Sequence, residues 1–231
     1  MGTLQSGESP GTRIAAGDSV LAAASSVSTK PIAARFAAFQ KMHLAYAAAD
    51  AKVKKATAAL MQQQAKVGEA DADQDVAAMA LAGALPADGL PRVNPFKPFG
   101  APAPATLCAM GYGDEAKAVL SLVQAVQKRK DLSKKSRAAA KRLGAAAKKV
   151  QATLAPIPKL TQARTDAMSA RDALAQAWET AFASLKNAAR VAEDDGERGL
   201  FAALFERSPK PKSKPKAKPT ADKSTPASPP P

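Results

Sequence analysis

From Ile32 to Val67 a large side chain recurs at every seventh residue: Ile32, Phe39, Tyr46, Val53, Leu60 and Val67. Seven residues make two turns of α-helix, so these six side chains share one stripe; a strand, with its period of two, would scatter them over both faces. A companion series, Phe36, His43, Asp50, Thr57 and Gln64, turns polar after its first member. It predicts a wet or loose seam rather than a dry zipper. Between the stripes the filler is alanine. The chain has 57 alanines among 231 residues, whereas Leu, Ile, Val and Phe together supply 39. Alanine leads the helix-propensity ranking and buries little apolar area, so the core is expected to be thin. One Trp, two Tyr and few β-branched residues exclude a sandwich, barrel or doubly wound sheet. The expected fold is all-α: an elongated antiparallel bundle of three long and two short helices over residues 31–206.

Punctuation along the chain sets the expected elements. Residues 1–30 are Gly, Ser, Thr and Ala without periodicity, and disorder is expected there. Pro31 suits the first turn of a helix running to the acidic stretch Glu69–Asp75, beyond which Val76–Leu85 reads as a short apolar helix. Six prolines between Pro86 and Pro104 forbid regular structure in a loop spanning 86–113. A second long helix is expected from Asp114-Glu115, acids favoured at an N-terminus, to about Leu154. A third runs from about Lys159 to Val191, and Gly196 separates it from a short apolar piece, Leu200–Phe205. Residues 65–71 align without gaps on 189–195, and 76–81 fall on 200–205, so both copies read as long helix, acidic turn and short helix.

Thirty-four Lys and Arg against twenty Asp and Glu give a net charge of +14, which points to a polyanion as partner. The excess is local. Residues 68–88 hold five acids and no base, whereas 128–149 hold ten bases and one acid. The ten are Lys128, Arg129, Lys130, Lys134, Lys135, Arg137, Lys141, Arg142, Lys148 and Lys149. On one continuous helix, Leu132, Ala139, Leu143, Ala146, Val150 and Leu154 would form an apolar stripe and the bases would fan over the opposite half. Such a face is either a polyanion-binding ridge or a surface paired with the acidic third helix through Asp172, Glu179 and Glu193. The second basic region is the tail, 207–231, where Lys210, Lys212, Lys214, Lys216 and Lys218 alternate with Pro, Ser or Ala. Extended polyproline II places successive lysines about 6 Å apart, near the spacing of phosphates on a strand. Over about 25 residues this tail resembles those of linker histones and the Lys-Pro-Ala tails of some bacterial nucleoid proteins. The resemblance implies sequence-independent DNA binding.

Other patterns fall away on chemistry. His43 and Asp50 stand about 10.5 Å apart along a helix axis, too far to share a metal. Asp71-Ala72-Asp73-Gln74-Asp75 imitates a calcium loop but has Val76 where glycine is needed and Ala82 where a bidentate Glu is needed. Gly111-Tyr112-Gly113 matches a loose dinucleotide pattern, yet Asp114-Glu115 would oppose a pyrophosphate. Cys108 and His43 lack an orienting third group or oxyanion site, and Cys108 is expected to be a small buried thiol. Met1-Gly2 through Ser6 fits a loose myristoylation pattern. Phe96 and Phe99 are expected to anchor their loop on the bundle, with a partner-docking role as the alternative. No catalytic, metal or cofactor set emerges, and no base-reading module or aromatic stacking platform interleaves with the bases.

The expected function is therefore non-catalytic: sequence-independent binding of a polyanion, DNA first, by the 128–149 bases and the tail lysines. The alternatives are a helical scaffold or homo-oligomer with the tail as spacer, or a surface coat resembling the phasins, which are also alanine-rich, helical and sometimes basic-tailed. With one cysteine, no apolar run of 18 residues and no basic signal-peptide start, a soluble cytoplasmic protein is expected.

Overall fold

The computed structural model describes residues 8–206. It is an all-α helical bundle, with no strand among the described residues. Eight α-helices occur there: α1 (Pro10–Ala24), α2 (Ala33–Ala84), α3 (Pro104–Leu107), α4 (Tyr112–Lys128), α5 (Lys134–Leu154), α6 (Ile157–Asp172), α7 (Ala175–Asp194) and α8 (Leu200–Phe205). The chain divides into two compact units, Met42–Trp178 and the two flanking segments together.

The loop 86–113, expected to lack regular structure, contains 3-10 turns at Leu85–Asp88 and Lys97–Phe99 besides α3, each with a proline in its first turn, where its missing N–H costs nothing. Four helix expectations also require correction. Residues 10–24 form a helix where disorder was expected: the Ser9 side chain accepts from the Thr12 N–H at 3.2 Å, and Pro10 opens the first turn. Second, α2 runs unbroken through Glu69–Asp75. Helical geometry puts Asp71, Gln74 and Asp75 on the inner side and Asp73 outside, where Lys149 Nζ donates to it at 2.7 Å. The long-helix, acidic-turn, short-helix layout consequently exists only in the second copy, where Gly196 and Gly199 take positive φ of 111° and 80° between α7 and α8. Third, the expected helix 114–154 is a hairpin, broken at residues 129–133. Arg129 leaves the helical region (φ −78°, ψ 112°) and is held by Asp131, and Ser133 caps α5 by accepting from the Ser136 N–H. Fourth, the third long helix divides at Ala173-Leu174 into α6 and α7.

In the flanking unit, α1 packs on α8, and Phe182 meets Phe39 and Phe205 edge-on with ring centroids 5.6 Å apart in each pair. Arg13, nearly buried, donates through Nε to Glu179 at 3.2 Å. In the larger unit two members of the companion series, His43 and Asp50, are buried with polar partners. Trp178 Nε1 donates to His43 Nδ1 at 3.2 Å, and Tyr46 packs beside the indole. Asp50 accepts from Arg171 of α6 at 3.3 Å. The expected wet seam is thus dry at His43 and Asp50, which are buried with partners, and open at Gln64, which is exposed.

The main core of this unit is the α4–α5 hairpin with the end of α2 and the proline-rich loop. Val119, Leu122, Val123, Val126, Leu132, Ala140, Leu143, Ala147 and Val150 are buried with Leu81, Leu85, Phe96 and Leu107. Phe96 is fully enclosed and Phe99 half-buried under the Arg129 guanidinium, so both rings anchor the loop on its own bundle. Small residues let α4 and α5 approach closely: a Cβ on Gly144 would stand 3.1 Å from Val123 Cγ1. Leu143→Ala is expected to lower unfolding stability by about 2–5 kcal/mol, and Gly144→Leu by about 1–3 kcal/mol through overpacking. Chemical denaturation measures both, and a negligible loss for Leu143→Ala would contradict this core.

Candidate polyanion interface and a buried acceptor cluster

Seven of the ten predicted bases lie on α5, and the hairpin determines where they point. At 100° per residue, Lys134, Lys135, Arg137, Lys141, Arg142, Lys148 and Lys149 cover an arc of roughly 160° along about 22 Å of axis. Ser136, Ala140, Leu143, Gly144, Ala147 and Val150 are the buried residues of α5 and occupy the other side. All seven bases are exposed. Among the described residues, Lys149 alone of the seven has an ion pair, with Asp73, which raises its pKa through that hydrogen bond and charge. Lys134 and Lys135 stand in the first turn of α5, whose N-cap Ser133 donates through its N–H and its Oγ to Asp88 Oδ2 at 3.2 Å and 3.1 Å, so a carboxylate already meets the positive helix end.

The other three bases belong elsewhere. Lys128 ends α4, where its charge suits the negative helix end. Lys130 is exposed in the turn. Arg129 forms a two-pronged pair with Asp131, at 2.8 Å and 2.5 Å, which holds that carboxyl down to about 2. Among the described residues, the acids named as alternative partners have recorded contacts of their own. Glu179 holds Arg13, Asp172 holds Arg171, and Glu193 accepts from the Gly199 N–H. Lys210, Lys212, Lys214, Lys216 and Lys218 lie outside the described residues. Beside the basic face, Val76, Ala77, Ala80 and Ala84 of α2 and Ala138 and Ala139 of α5 line a groove of about 400 Å³ edged by Asp73, Lys135 and Arg142.

A second constellation escaped the sequence reading. Asp75 of α2, Cys108 at the end of α3 and Glu115 of α4 present ligand atoms all within 4.8 Å of one another. Glu115 is fully buried, although its place in the first turn of α4 had suggested only a dipole role. Its Oε1 accepts from Gln74 Nε2 at 2.8 Å, and Gln74 is itself fully buried. Burial pushes Glu115 up to about 7, with Asp75 and Asp71 adding to the rise against the Gln74 hydrogen bond. Burial likewise pushes the Cys108 thiol up to about 12, with Asp75 contributing. The available signal was positional: Asp71, Gln74 and Asp75 continue the inward stripe after Val67, where apolar residues belong.

Glu115 binds its proton more tightly folded than unfolded. Between its ordinary value of 4.5 and about 7 the folded chain therefore carries the extra proton, and stability falls as pH rises through that window. In chelator-treated protein, Glu115→Gln is expected to remove this fall and to exceed the parent chain in stability at about pH 8; equal pH profiles for the two chains would refute the assignment. Comparisons with family models, curated proteins and solved structures find no match to this chain.

Proposed function

We propose that the chain is a non-catalytic polyanion-binding protein whose principal contact face is the outer side of α5, with duplex DNA as the first candidate ligand. The observation that carries this reading is the exposure of Lys134, Lys135, Arg137, Lys141, Arg142 and Lys148 on one face with no ion pair to any described residue. Crowded like charges repel one another, and a polyanion relieves that repulsion while releasing its own counterions. Binding is expected to be independent of base sequence, because the face offers flexible cations backed by alanines rather than a helix-turn-helix or finger. The tail lysines add contacts in this reading.

A helix-mediated scaffold or homo-oligomer is the second reading. It is favoured by α6, none of whose residues is buried, and by the apolar groove between α2 and α5. Sedimentation separates the two readings. Self-association independent of nucleic acid supports the scaffold, and a monodisperse monomer counts against it.

Duplex DNA affinity measured against salt tests the first reading. With about six to ten phosphate contacts, the log–log slope is expected near −5 to −9, and shallower for a chain ending at Phe205. Lys134→Glu, Lys141→Glu and Lys148→Glu together are expected to reduce the slope by about 3 in magnitude. Absence of micromolar binding at about 50 mM salt would overturn the DNA reading.

A further inference from the structure

The geometry points to a binding site for a divalent transition-metal ion of the zinc type, with Asp75, Cys108 and Glu115 as its protein ligands. The three come from three separate elements, and their ligand atoms already lie within 4.8 Å of one another. Tetrahedral zinc with Zn–O near 2.0 Å and Zn–S near 2.3 Å needs ligand atoms about 3.3–3.5 Å apart. Side-chain rotation by about 1 Å closes that gap without moving the helices.

The independent observation is a surplus of buried acceptors. Glu115 Oε2 and Gln74 Oε1 belong to fully buried side chains and have no hydrogen-bond partner. Asp71 Oδ1 and Asp75 Oδ1 are buried without a partner as well. Among the described residues, no Lys, Arg or His forms an ion pair with Asp71, Asp75 or Glu115. Gln74 Nε2 donates to Glu115 Oε1 at 2.8 Å, and Cys108 and Glu115 each share a hydrogen bond with Asp75. The protons on Cys108 and Glu115 supply some of the missing donors in the metal-free chain, and the oxygens still without a partner favour a cation. Glu115, fixed by Gln74 and carrying its unpartnered oxygen, belongs to the same set as the thiol and the Asp75 carboxyl.

Ligand chemistry selects the ion. A thiol disfavours magnesium and calcium, which take all-oxygen shells, whereas two carboxylates and a thiolate suit zinc or cobalt(II). Three protein ligands leave a fourth tetrahedral position, and Gln74 is the supporting hydrogen bond that orients Glu115. The site is unrelated to a calcium loop. Asp73, which such a loop would use, faces outward and pairs with Lys149. Binding displaces the Cys108 proton and the Glu115 proton, because the metal is held by the ionised forms. The site is independent of the polyanion face.

The test uses the full chain, reduced and stripped with a chelator, and titrated with cobalt(II). The expected result is a thiolate-to-cobalt charge-transfer band and tetrahedral visible bands, both displaced by stoichiometric zinc. Cys108→Ser is expected to abolish the charge-transfer band. Asp75→Asn and Glu115→Gln are each expected to weaken cobalt binding at least about tenfold. Zinc, but not magnesium, is expected to raise the thermal midpoint of the parent chain, and circular dichroism confirms that each variant keeps its helix. A folded parent chain with no charge-transfer band and no zinc-dependent midpoint shift would overturn the site, as would a band that survives Cys108→Ser.

Discussion

The close packing of α4 on α5 is the constraint on which the candidate interface depends. Gly144 lets the two helices approach at Val123, and the five-residue turn 129–133 brings them antiparallel. Once that seam is formed, the apolar residues of α5 must face inward, and seven of the ten bases have no place except the outer arc. A single helix over 114–154 would have left much of its apolar stripe without a partner. The fold-back supplies one from α4 and also sets Lys134 and Lys135 at a helix N-terminus. Charge layout and packing are two consequences of one turn.

Some of this was readable from residue spacing. The stripe Ile32, Phe39, Tyr46, Val53, Leu60 and Val67 is buried along its whole length. Large side chains at helical spacing carry their own evidence, because misplacing one costs several kcal/mol. The turn at 129–133 left no such mark. Leu132 is buried, and its position also fits a continuous helical stripe. The break is made by Arg129 gripping Asp131 and by Ser133 capping α5, which are short polar interactions in a lysine-rich stretch. Helix α1 was hidden for a related reason. Its residues are Gly, Ser and Ala with little amphipathic pattern, and its anchors, the Ser9 cap, Arg13 with Glu179 and the contact with α8, are mostly tertiary.

The acidic stretch shows how composition misleads when helical phase is ignored. Five acids and no base in 68–88 read as a break. On an unbroken helix the same acids separate by angle: Asp73 goes outward to Lys149, while Asp71 and Asp75 turn toward Cys108 and Glu115. The thin alanine core gives these carboxylates room, and the proline-rich loop brings the thiol. Neither effect shows in local sequence. The contact is set by residues some 30 to 40 positions apart.

The claim that α5 presents its cations outward, unpaired and available to a polyanion, is tested most directly by lysine footprinting. Amine-labelling rates would be measured residue by residue, with and without duplex DNA at low salt. Lys134, Lys135, Lys141 and Lys148 are expected to label fast in the free protein and to be protected together by DNA, while Lys149, held by Asp73, labels more slowly from the start. Protection confined to lysines elsewhere in the chain, with those four unchanged, would contradict the account.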